Sequence, residues 1–545
     1  MKVLIKERKH SITLIFFILL FNPCFYFWAS KSDLFSFGDK CAGWLICLVA
    51  GTALCYIDLF LKKIAEKVFL SVLFALSVAP NIIVWGYMYI SNSYVSKDIF
   101  WAIFDTNSNE AKEFIQQFDP SMVIAVLLLY LAIGIMLIIR QKSHQSLNVK
   151  RHKAIFSLSV TFIVFTILMK YFAQAIPTFG FYNSYISYIY AKSVFRQMHD
   201  TRKNLKISIE CALEGKQHIF VVVIGESASS LHQSLYGYHR ATTPRLDSIS
   251  DELDVFEDVV SPAANTSESL KKALTFANYD NPEYYSQKPD IVELFNSADF
   301  ETYWISNQLV MDKLSRGGTF GVFAKEAGHL YDMSIFRKND EVVLPCISEI
   351  LNDSIRKNKI IFVHLMGNHQ VYSYRYPEDF ERFDNRQKND LDAPFRNENM
   401  KRIIDEYDNS ILYGDYINSS IIEMLRKIGL PSCFLFFSDH AEEVFDYRNI
   451  SGHFPTNISK YQVMIPLILW RSGQYLEETQ DIVIDKTRPY SSEDLIHSLS
   501  TLCRLKYADY EPERSLFSPQ FIPKKRMIGH ESLDDIIRKE SFNSR

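Results

Sequence analysis

Nearly all the long apolar runs of this chain lie before residue 175. Five of these runs, at residues 11–29, 41–60, 68–90, 121–139 and 154–173, are each close to the ~20 residues that a helix needs to cross a bilayer. A chain built this way is a membrane part joined to a water-exposed part. Its composition agrees: 48% of the residues are hydrophobic, yet the mean hydropathy is close to zero. Pro80 falls inside the third run and is expected to kink it. A cleaved leader is the other reading of the first run. Its length, the lack of a small-residue cleavage site and the four further spans argue for an anchor.

Lys and Arg in the short loops set the orientation. Lys2, Lys6, Arg8 and Lys9 precede the first span, Lys62, Lys63 and Lys67 follow the second, and Arg140, Lys142, Lys150, Arg151 and Lys153 follow the fourth. The alternate loops carry only Lys31 and Lys40, and Lys97 and Lys112. The N-terminus is therefore expected inside, and everything after residue 174 outside. In a bacterial inner membrane that side is the periplasm. The expected organisation is a five-helix transmembrane domain over 1–174, an interfacial linker over 175–216 and a periplasmic domain over 217–545. Tyr182, Tyr185, Tyr188 and Tyr190 suit helices lying along the membrane surface. A net charge of only -4 gives no nucleic-acid footprint. Four of the eight cysteines, Cys211, Cys346, Cys433 and Cys503, lie in the outer part, where disulfides are permitted. Sequence does not choose among their pairings, and Cys433, opening an apolar run, reads as a buried thiol.

From residue 217 the pattern becomes short apolar runs separated by helix-length segments. Strands are expected at His218–Ile224, Thr302–Ile305, Ile360–Met366, Cys433–Phe437 and Met464–Trp470. Fully apolar runs of this length suit strands buried on both faces, and their alternation with helices argues for a mainly parallel α/β sheet. Ligand sites of such sheets form beyond the carboxyl ends of the strands. Three ends carry chemistry: Gly225-Glu226-Ser227, His364-Leu365-Met366-Gly367-Asn368-His369 and Ser438-Asp439-His440-Ala441-Glu442-Glu443. Imidazole nitrogen and carboxylate oxygen are zinc ligands. Singly, Glu226 reads as a helix-start acid, and His369 or His453 as a surface histidine. Together at one sheet edge they read as a metal centre. Thr266 lies in the stretch Ser261-Pro262-Ala263-Ala264-Asn265-Thr266-Ser267-Glu268-Ser269-Leu270, and the next residues, Lys271-Lys272-Ala273-Leu274, read as a helix. Thr266 is either a helix cap or a hydroxyl nucleophile in the positive potential where phosphate binds. Ser267 is the adjacent alternative.

These residues resemble the bacterial phosphoethanolamine transferases, whose fold is alkaline-phosphatase and sulfatase-like. The resemblance is carried in order by Gly225-Glu226-Ser227, the Gly237-Tyr238-x-Arg240-x-Thr242-x-Pro244 segment, Thr266, His364-x-x-Gly367-x-His369 with Arg375-Tyr376-Pro377, Ser438-Asp439-His440-x-Glu442, and His453. The five-span topology matches too. The resemblance implies that Glu226, Thr266, Asp439 and His440 bind one catalytic zinc, and it leaves a second metal open. It implies that Thr266 takes up phosphoethanolamine from phosphatidylethanolamine and that His369 and His453 line the substrate phosphate or hold a second metal. It implies too that Thr106 and Glu110, one helical turn apart, meet the lipid headgroup. The acceptor would be lipopolysaccharide. Ser227 stands where many members have Thr, Ala441 where Gly is common, and no Cys-Gly-Thr precedes the helix. This pattern is more similar to members that modify a core heptose than to those that modify lipid A. The rival readings are lipid A transfer, a membrane-tethered hydrolase of the same ligand set, and a catalytically dead lipid-binding scaffold.

Overall fold

The computed structural model describes residues 181–190, 207–213, 215–310, 319–336, 338–384, 397–454 and 457–543, together with isolated helical positions between 45 and 193. The chain divides into two compact units, one of residues 1–100 and 117–191, the other of residues 101–116 and 192–545. In the first, the five expected spans lie outside the described residues, apart from isolated helical positions such as Leu45, Val68, Leu128 and Val160. Among the described residues, no helix is long and apolar enough to cross a membrane. Residues 181–190 are helical. Tyr188 is buried there, with its ring 6.2 Å from that of Phe100, while Ile186 and Tyr190 face outward.

The second unit is built on a seven-stranded sheet. In chain order its strands are β1 (Ile219–Gly225), β2 (Leu253–Val255), β3 (Glu301–Ser306), β4 (His329–Asp332), β5 (Lys359–His364), β6 (Ser432–Ser438) and β7 (Leu467–Arg471). Their order across the sheet is β2-β7-β6-β1-β5-β3-β4. The pairs β6-β1, β1-β5, β5-β3 and β3-β4 are parallel, and β7 runs antiparallel between β6 and β2. All five strands expected from the sequence form. The third ends at His364, two residues short of Met366, and the last begins at Leu467, three residues after Met464.

The central strands β1, β5 and β6 are mostly apolar because both faces of the sheet are covered there. Successive residues alternate between two cores. Phe220, Val222, Ile224, Phe362, Leu435 and Phe437 face one. Ile219, Val221, Val223, Val363, Phe434 and Phe436 face the other. Helices α1 (Thr266–Ala273), α2 (Ile291–Ser297) and α5 (Leu495–Leu502) cover the first face, and α3 (Val343–Leu351) and α4 (Glu398–Ile428) the second. Each such side chain contributes about 1.5–3 kcal/mol when fully buried, so the parallel core is a stiff platform for its carboxyl edge. Cys211, Cys346, Cys433 and Cys503 are free thiols, and Cys433 is buried in β6 as expected.

Candidate metal and nucleophile site

Strand register brings the site together. Gly225 pairs with Ser438 and Ile224 with His364, so β1, β6 and β5 end side by side. The Asp439 amide donates to the Gly225 carbonyl at 3.0 Å, and the Leu365 amide to the Ile224 carbonyl at 3.0 Å. Glu226 and Asp439 are thereby delivered to one edge. Ser227 then turns through a left-handed backbone, with φ of 58°. Tyr407 of α4 braces this turn, accepting from the Ser229 amide at 2.9 Å and donating to the Ser227 carbonyl at 2.7 Å. Gly367, with φ of 51°, lies so close to Glu226 that a Cβ there would meet its backbone at 2.8 Å. Only glycine fits that approach.

The Gly237-to-Pro244 segment is the brace between the loop after β1 and α4. Tyr238 Oη donates to Asp408 at 3.0 Å. Arg240 donates to Asp405 and Asp408, both at 2.8 Å. Asp408 also lies 2.7 Å from His232 Nδ1. Burial opposes charge on His232, but Asp446 and Asp408 outweigh it and raise its pKa to about 10. Pro244 opens a short helix whose Arg245 and Leu246 amides donate to Asp415 at 2.9 and 2.8 Å.

Thr266 is the first residue of α1, but it is not the cap. The capping side chain is Asn265, which accepts from the Glu268 amide at 3.0 Å. The Thr266 hydroxyl is thus released from the helix end. It donates to Glu226 Oε2 at 3.1 Å and lies 3.4 Å from His440 Nε2. Ser269, one turn later, donates to the Asp439 carbonyl and fastens α1 to the strand end. Replacing Asn265 by Ala is therefore expected to cost roughly 0.5–2 kcal/mol in urea unfolding. Thr266→Ala should leave that midpoint nearly unchanged.

Glu226, Asp439 and His440 each offer one ligand atom, and these lie within 4.8 Å of one another. His440 Nε2 is 3.3 Å from Glu226 Oε1 and 3.4 Å from Asp439 Oδ2. A tetrahedral site with zinc–ligand bonds of ~2.1 Å has edges of about 3.4 Å, so the spacing fits. Two further observations fit as well. Asp439 Oδ2 is buried and accepts no hydrogen bond. His440 Nδ1 lies 3.0 Å from the Ala441 carbonyl, which fixes the ring with Nε2 turned into the cluster, the usual arrangement of a metal-ligating histidine. Burial and the neighbouring Glu226 charge push the Asp439 carboxyl up to about 8. Burial also opposes charge on Glu226, but the His440 hydrogen bond and the charges of His440, His369 and His453 hold its pKa well below the carboxylate range. Two carboxylates crowded in the dark of the protein form a site complementary to a cation.

His453 stands beside this centre. Its Nδ1 is 2.7 Å from Glu442 Oε2, and its ring centroid is 4.0 Å from that of His440. Tyr372 holds the other Glu442 oxygen at 2.8 Å. His440, Glu442 and His453 are a second group able to hold a cation. His369 follows the β5 end, and its Nδ1 is buried without a hydrogen-bond partner. Burial brings its pKa down to about 4, and Arg375 fixes its loop through the His369 carbonyl at 3.1 Å. Thr106 and Glu110 lie outside the described residues. Sequence reasoning missed Gln308, Ser269 and Tyr407. The first was within reach, because it follows by two residues the end of β3 at Ser306, a fourth strand end at the same edge.

A hydroxyl at a helix N-terminus, set against a carboxylate–imidazole cluster at the carboxyl edge of a parallel sheet, is the arrangement that metal-assisted transfer of a tetrahedral anionic group requires. Comparison with known proteins narrows this class. The sulfatase family matches residues 218–504. Phosphoethanolamine transferase EptC of Escherichia coli K12 is 31% identical over 501 residues, covering 87% of this chain and 86% of that protein. The crystal structure of the C-terminal periplasmic domain of Escherichia coli EptC in complex with Zn has 35% identity and a TM-score of 0.56, over 59% of this chain and 92% of that one. The integral membrane protein lipooligosaccharide phosphoethanolamine transferase A of Neisseria meningitidis shares the fold at 18% identity, with a TM-score of 0.67 over 92% of this chain and 98% of its own. The chain belongs to the sulfatase family and, within it, to the phosphoethanolamine transferases.

Proposed function

We propose that the protein is a zinc-dependent enzyme of the bacterial inner membrane that moves phosphoethanolamine from phosphatidylethanolamine to a heptose of the lipopolysaccharide core. The observation that carries this reading is the Thr266 hydroxyl, freed from capping and held 3.1 Å from Glu226 and 3.4 Å from His440. Glu226, Thr266, Asp439 and His440 would hold the zinc. Zinc, when bound, supplies Lewis acidity toward the phosphoryl oxygens and the attacking hydroxyl.

The chain's own groups supply the rest. Thr266 Oγ1 attacks the donor phosphorus as its proton leaves toward Glu226 Oε2, the acceptor of its hydrogen bond. A new Thr–O–P bond forms and the P–O bond to the lipid breaks. The proton released by Thr266 passes on from Glu226 to the departing oxygen, so that diacylglycerol leaves neutral and Glu226 is again a carboxylate. The positive end of the α1 helix favours the phosphoryl charge. His453, oriented by Glu442, and His369 line the phosphate. Thr106 and the negative Glu110 would receive the ethanolamine ammonium. A hydroxyl of the acceptor then attacks the same phosphorus and restores Thr266. The five expected spans keep this cycle at the bilayer where donor and acceptor reside, with the catalytic domain in the periplasm.

The heptose assignment is supported by the sequence around Thr266 and by the His364-to-Pro377 segment. Mass spectrometry of lipopolysaccharide from cells with and without the protein tests it. One added phosphoethanolamine on the core is the expected outcome. The same mass on a lipid A phosphate with unmodified core would overturn the acceptor. Free phosphoethanolamine without modified glycolipid would make the enzyme a hydrolase.

A further inference from the structure

Gln308 lies two residues beyond the end of β3 and is 9% exposed. Its amide nitrogen donates to Glu226 Oε2 at 3.0 Å and to the Leu365 carbonyl at 2.9 Å. Both partners are pure acceptors, so the nitrogen and not the oxygen of the amide must face them. An amide nitrogen has two hydrogens, and both are committed. None is left for a substrate phosphate.

The backbone that carries this side chain is fixed from three sides. The Gln308 amide donates to Ser306 Oγ at 3.2 Å, and Ser306 Oγ donates to the Gln308 carbonyl at 2.8 Å. The Asn307 amide donates to the His364 carbonyl at 2.9 Å. Asn307 Nδ2 donates to Asp340 Oδ1 at 2.9 Å, and Asp340 accepts from the Met366 and Gly367 amides at 2.9 and 2.8 Å. Gln308 therefore ties the end of β3 to the end of β5 and reaches across both to the carboxylate at the end of β1.

Glu226 Oε2 accepts from Gln308 and from Thr266, while Oε1 accepts from Ser227 Oγ at 2.9 Å. When the Thr266 proton is lost, Gln308 remains as the donor on Oε2. We propose that Gln308 is a positioning residue, which holds the Glu226 carboxylate in the rotamer that serves both the metal and the Thr266 hydroxyl. The role is that of an outer partner orienting a ligand, and loss of such partners typically lowers metal affinity or activity by about 10–100-fold. The proposal rests on the reading of Glu226 as a zinc ligand.

The test is zinc affinity of the full chain in detergent, measured by competition with a chromogenic chelator, for wild type, Gln308→Met and Gln308→Asn. Met keeps the length without the donors, and Asn keeps an amide one methylene short. Both are expected to bind zinc about 10–100-fold more weakly. The metal-free unfolding midpoint of Gln308→Met should match that of wild type. At saturating zinc, kcat should fall while KM for phosphatidylethanolamine stays within about twofold. Zinc affinity at the wild-type level in both variants overturns the proposal, whether activity is kept or is lost through a raised KM. If Gln308→Met does not fold, Gln308→Asn decides by the same criterion. A wild-type chain that binds no zinc sinks the zinc reading itself, an outcome distinct from the failure of Gln308.

Discussion

Thr266→Ala is expected to reduce transfer by at least about 10³-fold, the scale on which removal of a nucleophile acts, while the protein stays folded. The structure sharpens this expectation. Had Thr266 been the cap of α1, Ala would have destabilised the helix, and lost activity would have been ambiguous. Asn265 holds that role instead. Loss of the Thr266 hydroxyl removes one hydrogen bond to Glu226 and little else that holds the fold. Thr266→Ser keeps an oxygen at the same place and is expected to retain part of the activity. Lacking the methyl group, its hydroxyl has more rotamers to lose on attack. Incubation of the wild type with phosphatidylethanolamine and no acceptor should leave one phosphoethanolamine on the peptide that contains Thr266. An adduct on Ser267 would move the nucleophile by one residue. Near-normal transfer by Thr266→Ala with no adduct in the wild type would end the covalent mechanism.

The difference between Thr266 and Asn265 shows where the sequence stops being legible. Both residue types cap helices well, and they are neighbours. Only the extended backbone of Asn265, with φ of -162° and ψ of 150°, decides which one does so. No composition or periodicity encodes that single step. The buried strands were legible for the opposite reason. A strand covered on both faces must be apolar at every position, so Val221–Ile224 and Phe434–Phe437 stand out against polar flanks. The edge strands were not legible. Leu253–Val255 is three residues long, and His329–Asp332 is half-buried along its whole length. Neither has an uninterrupted apolar run.

The site divides in the same way. The convergence of Glu226, Asp439 and His440 was legible because the rule that sites gather beyond strand ends applies residue by residue. Gln308 obeys the same rule, yet an amide beside a strand end announces no chemistry of its own. Tyr407 and Ser269 act on the site from helices, through backbone groups of Ser227 and Asp439. Contacts of this kind, across 180 and 170 residues of sequence, depend on packing and leave no local pattern. The Gly237-to-Pro244 segment is an intermediate case. Its residues were conspicuous as a motif, but its work of bracing the turn after β1 against α4 needed the partners Asp405, Asp408 and Asp415 to be seen.

Asp439→Asn is expected to abolish tight zinc binding without unfolding the chain. The two effects have separate physical origins. In the metal-free protein, Asp439 is a buried acid beside Glu226, and burial and that neighbouring charge both disfavour its ionisation. A neutral amide of the same size removes the repulsion, and it can still accept from the Ser227 and His440 amides, which donate to Asp439 Oδ1 at 3.1 and 2.7 Å. The metal-free unfolding midpoint should therefore be unchanged or higher. With zinc the order reverses. A ligand that binds only the folded state stabilises it by RT ln(1 + [L]/Kd), or about 4.1 kcal/mol at a thousandfold excess over Kd. Wild type should gain this in full. Asp439→Asn, lacking an anionic ligand rather than an outer partner, should lose more than about 100-fold in affinity and with it most of the zinc-induced rise. Thermal unfolding of both proteins, with a chelator and with zinc, reads the two effects independently. A zinc-induced shift of wild-type size in Asp439→Asn would show that Asp439 is not a ligand. A collapse of the metal-free midpoint would show that the Asp439 carboxylate, through its contact with His440, is needed by the fold itself.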